Sequence, residues 1–331
     1  MILLLYSLSK KLSTKQFYEN VIIRKKRIFY DKIIFGDEFM ENYLQKAYAF
    51  DGTVRIYAAI TTQIVQHAQE IHKLWPTSCA ALGRCLTIAS IMSCTYKAQE
   101  HLTIKVCGDG PIGNITMEAT DGKVRGFVQN PGVYLSYNNG KLAVGDAVGK
   151  NGYIEVIKDL HMRAPFSSSA SLVSGEIAED FTYYFAQSEQ IPSSVGLGVL
   201  IDPEGKVLSA GGFLLQIMPG CKEETLARLE EHLKQMKSCS TMINEGYSAE
   251  EIIAEITEND YQLLETRELT YDCPCNKERF QRGLISLGKE ELTSILEEDH
   301  KAHITCNFCK KEYTFTEADL MEMLEILNKK A

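Results

Sequence analysis

Four cysteines near the C-terminus carry the most specific chemistry in this sequence. They are Cys273-Pro274-Cys275 and, thirty residues later, Cys306-Asn307-Phe308-Cys309. The backbone holds each pair close, and two such pairs can converge on one tetrahedral ion. Zinc takes four thiolates at about 2.3 Å, and closely spaced cysteine pairs are its usual signature. The expected ligands of a single zinc ion are therefore Cys273, Cys275, Cys306 and Cys309. His300 and His303 precede the second pair and are left out, because four sulfurs complete the shell. Ile304-Thr305 before the second pair and Tyr313-Thr314-Phe315 after it are apolar and β-prone, which predicts a hairpin with both ligands in its turn.

The first pair is the unusual one. Structural zinc sites generally place two to four residues between paired cysteines, whereas here there is one, a proline. A Cys-X-Cys pair can oxidise only to a small, strained ring, and strained exposed disulfides are the labile, regulatory kind. A zinc site keeps its sulfurs as thiolates, the form that peroxide attacks, and a sulfenic acid at any of them has a resolving partner next door. The residues leave two uses of the site open. One is a structural zinc ribbon with no redox role. The other is a sensor that binds metal when reduced and forms two local disulfides when oxidised. Inert buried thiols, a frequent fate of free cysteine, fit the paired spacing poorly. The segment from about residue 270 to 331 is too small for a large core, and structural zinc can supply on the order of 10–16 kcal/mol to such a fold. Loss of the metal should unfold it.

The remaining composition narrows the setting. At 331 residues, 45% hydrophobic and 24% charged, the chain suits a soluble protein of two or three domains. The other six cysteines (Cys79, Cys85, Cys94, Cys107, Cys221, Cys239) are scattered and form no disulfide framework, which fits a reducing cytosol. No apolar run approaches a membrane span. Residues 220–269 carry 5 Lys/Arg against 12 Asp/Glu and residues 270–331 carry 9 against 12, while the whole chain has a formal charge of −9. A zinc module that grips nucleic acid should be basic on at least one face, so this balance argues against nucleic acid as a partner.

Residues 1–39 carry 8 Lys/Arg against 4 Asp/Glu. Their short apolar burst precedes the basic residues, the reverse of a secretory signal. They are expected to be an extension outside the fold, with globular patterning starting at about Met40. Val54, Ile56, Ala58 and Ile60 alternate as a strand, and Thr61-Thr62 offers a helix N-cap for Ile64, Val65, Ala68 and Ile71. Trp75-Pro76 closes that helix, and a second one from Thr77 to Met92 is apolar all round, hence buried. Residues 101–158 read as strands with Gly-rich turns. Gly108-Asp109-Gly110-Pro111-Ile112-Gly113 matches the dinucleotide fingerprint in letters. It fails in context, since Pro111 removes an N–H and Ile115–Ala119 alternates like a strand. A hairpin turn is expected there, with no cofactor. Ser174 is expected to cap a helix to about Ser188, and Val195–Ile201 and Val207–Ile217 to flank a turn at Asp202-Pro203-Glu204-Gly205.

Pro219-Gly220 marks a boundary, and beyond it lie acidic helical stretches with thin apolar stripes. Leu226, Leu229, Leu233 and Met236 form one, and Ile252, Ile256, Leu263 and Leu264 the other, with a capping box at Ser248 and Glu251. Such a connector is only marginally stable alone. A last helix is expected from about Thr316 through Leu327. No catalytic residues and no enzyme activity are indicated. A thiol–disulfide oxidoreductase would need a turnover-competent thiol, and locking the pairs on zinc argues against one.

Taken with Asp51-Gly52-Thr53-Val54-Arg55, Gly110-Pro111-Ile112-Gly113, Val124-Arg125-Gly126 and Pro131, the cysteine pattern resembles the heat-shock protein 33 family, redox-regulated holdases also called 33 kDa chaperonins. The resemblance covers residues 40–331, and the extension at 1–39 departs from it. It implies an α+β protein with an α/β core (40–219, an antiparallel sheet with helices), a metastable helical linker (220–269) and a small C-terminal zinc domain (270–331). It also implies a cytoplasmic, ATP-independent chaperone that is inactive with zinc bound. Oxidation would pair Cys273 with Cys275 and Cys306 with Cys309, release zinc, unfold the linker and expose apolar surface to unfolding client proteins. The oxidised protein would be a homodimer, with no nucleic-acid or membrane partner. The alternative is a zinc-ribbon adaptor for RNA or ribosomes, blind to peroxide and salt-sensitive in binding.

Overall fold

The apolar stretch after Trp75 becomes the centre of the architecture. The computed structural model describes residues 41–96, 100–160 and 164–330, so the expected extension at 1–39 lies outside the described residues. Helix α1 spans Thr62–His72 and α2 spans Pro76–Ser93. Pro76 opens α2 at a position where its missing N–H is no loss. Almost all of α2 is buried because it lies between two sheets, which is why its sequence is apolar all round. Of its buried hydroxyls, those of Thr87 and Ser90 donate to the carbonyls one turn earlier at 2.9 and 2.8 Å.

The first sheet is antiparallel throughout, its strands running in the spatial order Tyr261–Glu268, Tyr43–Ala49, Val54–Ile60, Val207–Ile217, Ser193–Ile201. Its strands are β1 (Tyr43–Ala49), β2 (Val54–Ile60), β8 (Ser193–Ile201), β9 (Val207–Ile217) and β10 (Tyr261–Glu268). The second is built from β3 (His101–Cys107), β4 (Ile115–Thr120), β5 (Lys123–Val128), β6 (Tyr153–Asp159), β7 (Phe166–Ser171) and β11 (Thr270–Tyr271). Its order is β11-β5-β4-β3-β6-β7, antiparallel except for the parallel β11–β5 pair. The mixed α+β class expected from the sequence is what forms.

Alternation along β2 shows that the first sheet is apolar on both sides. Tyr57 and Ala59 join the main core with Leu82, Leu86 and Ile88 of α2. Val54, Ile56 and Ala58 face the other way with Phe213 and Leu215. That outer face is covered by α5 (Glu223–Gln235), α6 (Cys239–Asn244) and α7 (Ala249–Ile256) through Leu229, Met242, Ile252, Ile253 and Ile256. Three short helices thus stand where two acidic stretches were expected. The capping box forms: Ser248 Oγ accepts from Glu251 N at 3.1 Å, and a Glu251 carboxylate oxygen accepts from Ser248 N at 2.8 Å.

Several local expectations change. Leu263 and Leu264 do not extend a helical stripe but lie in β10, an edge strand fixed by its partner β1, and are 36% and 44% exposed. Thr61 precedes α1 without capping it: its hydroxyl meets Thr87 Oγ1 at 2.7 Å, and Asn42 Oδ1 accepts from Gln63 N and Ile64 N instead. Ser174 caps no helix either. The helix starts later, as α4 at Ala178–Tyr184 (preceded by α3 at Val144–Val148), and continues as a π-helical turn over Phe185–Glu189, which meets the expected end. The buried Asp180 carboxylate gathers the N–H groups of Val173, Ser174, Gly175 and Ile177. An ionised carboxylate is the stronger acceptor, so it wins over the hydroxyl. The Gly108–Gly113 segment joins antiparallel β3 and β4 as a hairpin. There a Cβ on Gly110 would lie 2.3 Å from the Ala147 carbonyl oxygen, so glycine serves close backbone packing.

The C-terminal residues form α8 (Lys277–Ser286), α9 (Lys289–Glu298), the hairpin β12 (Ala302–Thr305) and β13 (Glu312–Phe315), and α10 (Glu317–Lys330). Their own core is small, with Leu284, Leu292, Phe315, Leu320 and Met323 fully or almost fully buried.

Candidate metal centre

The β12–β13 hairpin puts Cys306 and Cys309 in its turn, as their β-prone flanks imply. Cys306 N donates to Lys311 O at 2.9 Å and Lys310 N to Cys306 O at 2.8 Å, closing the turn. Lys310 sits at φ +59°, the left-handed conformation that lets the chain reverse there. Opposite, Cys273 and Cys275 lie between β11 and α8, where Asn276 caps the helix by accepting from Arg279 N at 2.8 Å. The four sulfurs converge within 4.8 Å of one another. Cys273 Sγ lies 3.8 Å from Cys306 Sγ, and Cys275 Sγ lies 3.3 Å from Cys309 Sγ.

These residues fit a tetrahedral metal. Four thiolates at about 2.3 Å from one ion would have sulfur–sulfur edges of about 3.8 Å, close to the spacing the backbone already imposes. The group contains no histidine, and His303 Nδ1 instead faces Thr314 Oγ1 at 3.0 Å. Burial pushes the Cys275 thiol up, yet the Tyr313 hydroxyl and the neighbouring sulfurs outweigh it and bring it down to about 7. Burial pushes Cys309 up to about 12, and raises Cys273 in spite of an adjacent guanidinium. Sulfurs this crowded cannot all be thiolates without a cation among them, which is the role a metal would fill.

The surroundings include groups that the sequence pattern did not reveal. Tyr313 Oη donates to Cys275 O at 2.9 Å and to Cys275 Sγ at 3.2 Å, bracing the first pair from the hairpin. Arg125, on β5, donates to Cys273 Sγ at 3.1 Å and pairs with Glu118 on β4. The same guanidinium lies over the ring of Phe308, 4.3 Å from its centroid. Phe127, two residues along β5, meets Phe308 edge to face at 5.1 Å. Tyr271 donates to Phe308 O and to Gly126 O, the latter at 3.0 Å, and its hydroxyl lies 3.3 Å from His72 Nε2. An aromatic between the second pair of cysteines was the one available hint. Tyr271 and Tyr313 flank the cysteines in sequence, but Arg125, Glu118, Phe127 and His72 are more than a hundred residues away, where no local pattern reaches.

Elsewhere, Cys79, Cys85, Cys94 and Cys239 are buried, and burial pushes Cys79 and Cys239 up to about 12. Such thiols are poor ligands and poor nucleophiles. Among the described residues, the four clustered cysteines are the only group of three or more side chains with the spacing to hold a metal, and no helix is long and apolar enough to cross a membrane.

Comparison with known proteins agrees with this geometry. The family described as Hsp33 protein matches residues 42–316. Proteins named 33 kDa chaperonin from Bacillus cytotoxicus and from Bacillus cereus strain AH187 are 49% and 48% identical over 291 residues, which is 87% of this chain and all of theirs. A crystal structure of the 33 kDa chaperonin (heat shock protein 33 homologue) of Thermotoga maritima is similar with a TM-score of 0.81 and 34% identity, covering 87% of this chain and 99% of that one. A family match over most of the chain, near-half identity to full-length relatives and a shared fold lead to one conclusion: the chain belongs to the Hsp33 protein family.

Proposed function

We propose that the protein is a redox-regulated, ATP-independent holdase that works in the cytoplasm and binds unfolding proteins when oxidised. In the reduced state Cys273, Cys275, Cys306 and Cys309 hold one zinc ion. A bound zinc ion would supply a cross-link between the β12–β13 hairpin and the strand leading into α8. Oxidation then pairs Cys273 with Cys275 and Cys306 with Cys309. In each disulfide two thiolates give two electrons to one peroxide, which takes up two protons and leaves as two waters. Disulfide sulfurs no longer bind zinc, and the module with its five-residue core loses its main support. The linker helices α5–α7, continuous with it through β10, would loosen in turn, and the oxidised chains would pair as a homodimer.

The observation that carries this reading is the double use of the first sheet. Beneath the linker lies a ready apolar face of Ala47, Val54, Ile56, Ala58, Phe213 and Leu215, covered mainly by α5–α7 among the described residues. A contiguous apolar patch of that kind, once uncovered, is what a non-native chain would bind. The acidic charge balance favours proteins over nucleic acid as partners.

The test is a peroxide titration of reduced, zinc-loaded protein at mild heat, with zinc release and light scattering of an aggregating client followed in one tube. Coincident zinc release and client protection are expected. Zinc that stays bound, or leaves without protecting the client, would favour a purely structural metal site.

A further inference from the structure

We propose that Arg125, Tyr271 and Phe308 form a latch that docks the cysteine-bearing module on the second sheet, and that the linker helices stay folded only while this latch is closed. The proposal deepens the redox reading above and rests on it for its biological meaning, but its test does not depend on peroxide.

The strap that leads into the module, residues 261–272, is held largely by backbone pairing. The chain leaves α7, runs along the edge of the first sheet as β10, crosses to the second sheet at Leu269, and joins β5 for two residues as β11. Its side chains along β10 are mostly exposed, so backbone pairing rather than apolar burial holds it. From there to the cysteines, Leu269 is buried in the main core with its N–H donating to Asn42 O at 3.0 Å, Tyr271 meets His67 and His72 of α1, and the remaining attachments belong to the β4–β5 hairpin. Thr270 N donates to Gly122 O at 3.0 Å and Asp272 N to Val124 O at 3.1 Å. Arg267 pairs with Asp121 at 2.7 Å. A side chain at Gly122, which sits at φ +77°, would come within 2.6 Å of Glu268 O, so this turn admits the strap only as glycine.

The last fastening is the one that touches the cysteine turn. Residues 125 and 127 alternate to the same face of β5, and together they hold Phe308 between a guanidinium and an aromatic edge. Tyr271 fixes the Phe308 carbonyl from the strap itself. Phe308 is the neighbour of Cys309, so any rearrangement of the second cysteine pair must move the ring against Arg125. Arg125 also donates to Cys273, so one core side chain senses both halves of the cluster. The latch therefore lies between the sulfurs and the strap, and the strap is the covalent route to the linker.

The test compares reduced, zinc-loaded wild type with Arg125→Ala, Phe308→Leu and the double variant. Amide hydrogen exchange is followed across 223–256 and 261–271, and zinc content is measured in parallel. Phe308→Leu keeps apolar bulk and removes the π face, so it serves if Arg125→Ala folds poorly. Loss of a buried cation–π contact with its hydrogen bond should speed exchange in the linker and strap roughly tenfold or more, with zinc retained at one ion per chain. The double variant should add little to either single change, because the two residues act through each other. Unchanged linker exchange in both single variants, or fully additive effects, would overturn the latch. Peroxide titration of the wild type separates the two ideas: a wild type blind to peroxide sinks the redox reading while the exchange data still decide the latch.

Discussion

The two faces of the first sheet are equally apolar but are covered by elements of opposite character. On the inner face lies α2, nearly all of whose residues are buried between two sheets. On the outer face lie the short helices α5–α7, each buried on one side; α5 and α7 are acidic, and of α5 only Leu229 is buried. A helix buried on every side leaves only when the whole core opens, whereas a one-sided helix can leave by itself. One sheet thus has one face walled by a helix buried all round and the other covered by helices buried on one side only.

The strongest challenge to this contrast is removal of the metal. Cys306→Ser, or a chelator acting on the reduced protein, should cost the C-terminal module on the order of 10 kcal/mol. Calorimetry should then show that module and the linker melting early while the core transition stays in place. A module that keeps its transition without zinc would make it as self-sufficient as the core.

A matched pair of truncations tests the two faces separately. Leu86 of α2 and Ile253 of α7 are both fully buried. Leu86→Ala should lower the global stability by about 2–5 kcal/mol in denaturant melts. Ile253→Ala should leave the core midpoint nearly fixed and accelerate exchange in α5–α7 and at the outer-face amides. If both variants shift one cooperative transition equally, the two faces are not distinct. Ser248→Ala is smaller: loss of the capping box should destabilise α7 by about 1 kcal/mol, seen as faster local exchange with the core unaffected. The exposed Arg228–Glu258 pair, 3.1 Å apart, should matter least. Glu258→Gln should change linker exchange by less than about 0.5 kcal/mol, which would show that the apolar stripe rather than surface charge closes the lid.

What was legible in the sequence was local. The cysteine spacing, the hairpin that carries the second pair, the all-apolar α2 and the box at Ser248 and Glu251 each depend on residues a few positions apart. What was not legible depends on distant partners. Strand β1 went unread, and Leu263 and Leu264 looked helical, because β10 exists only by pairing with β1, as in Tyr43 with Glu268. Ser174 lost its role to Asp180 through a competition between two nearby acceptors. Arg125 and Phe308 meet across 183 positions of sequence, and nothing near either one announces the other.

The position of β1 and β9 in the chain has a consequence for biosynthesis. Four of the five strands of the first sheet, β1, β2, β8 and β9, are complete by Ile217, before any of α5–α7 has been made. At about 5–20 residues per second, the segment that covers the outer face, residues 218–256, takes roughly 2–8 s to follow. During those seconds a nascent core would carry its bare apolar face on the ribosome. The first polypeptide to cover that face is then the segment that follows it in its own chain.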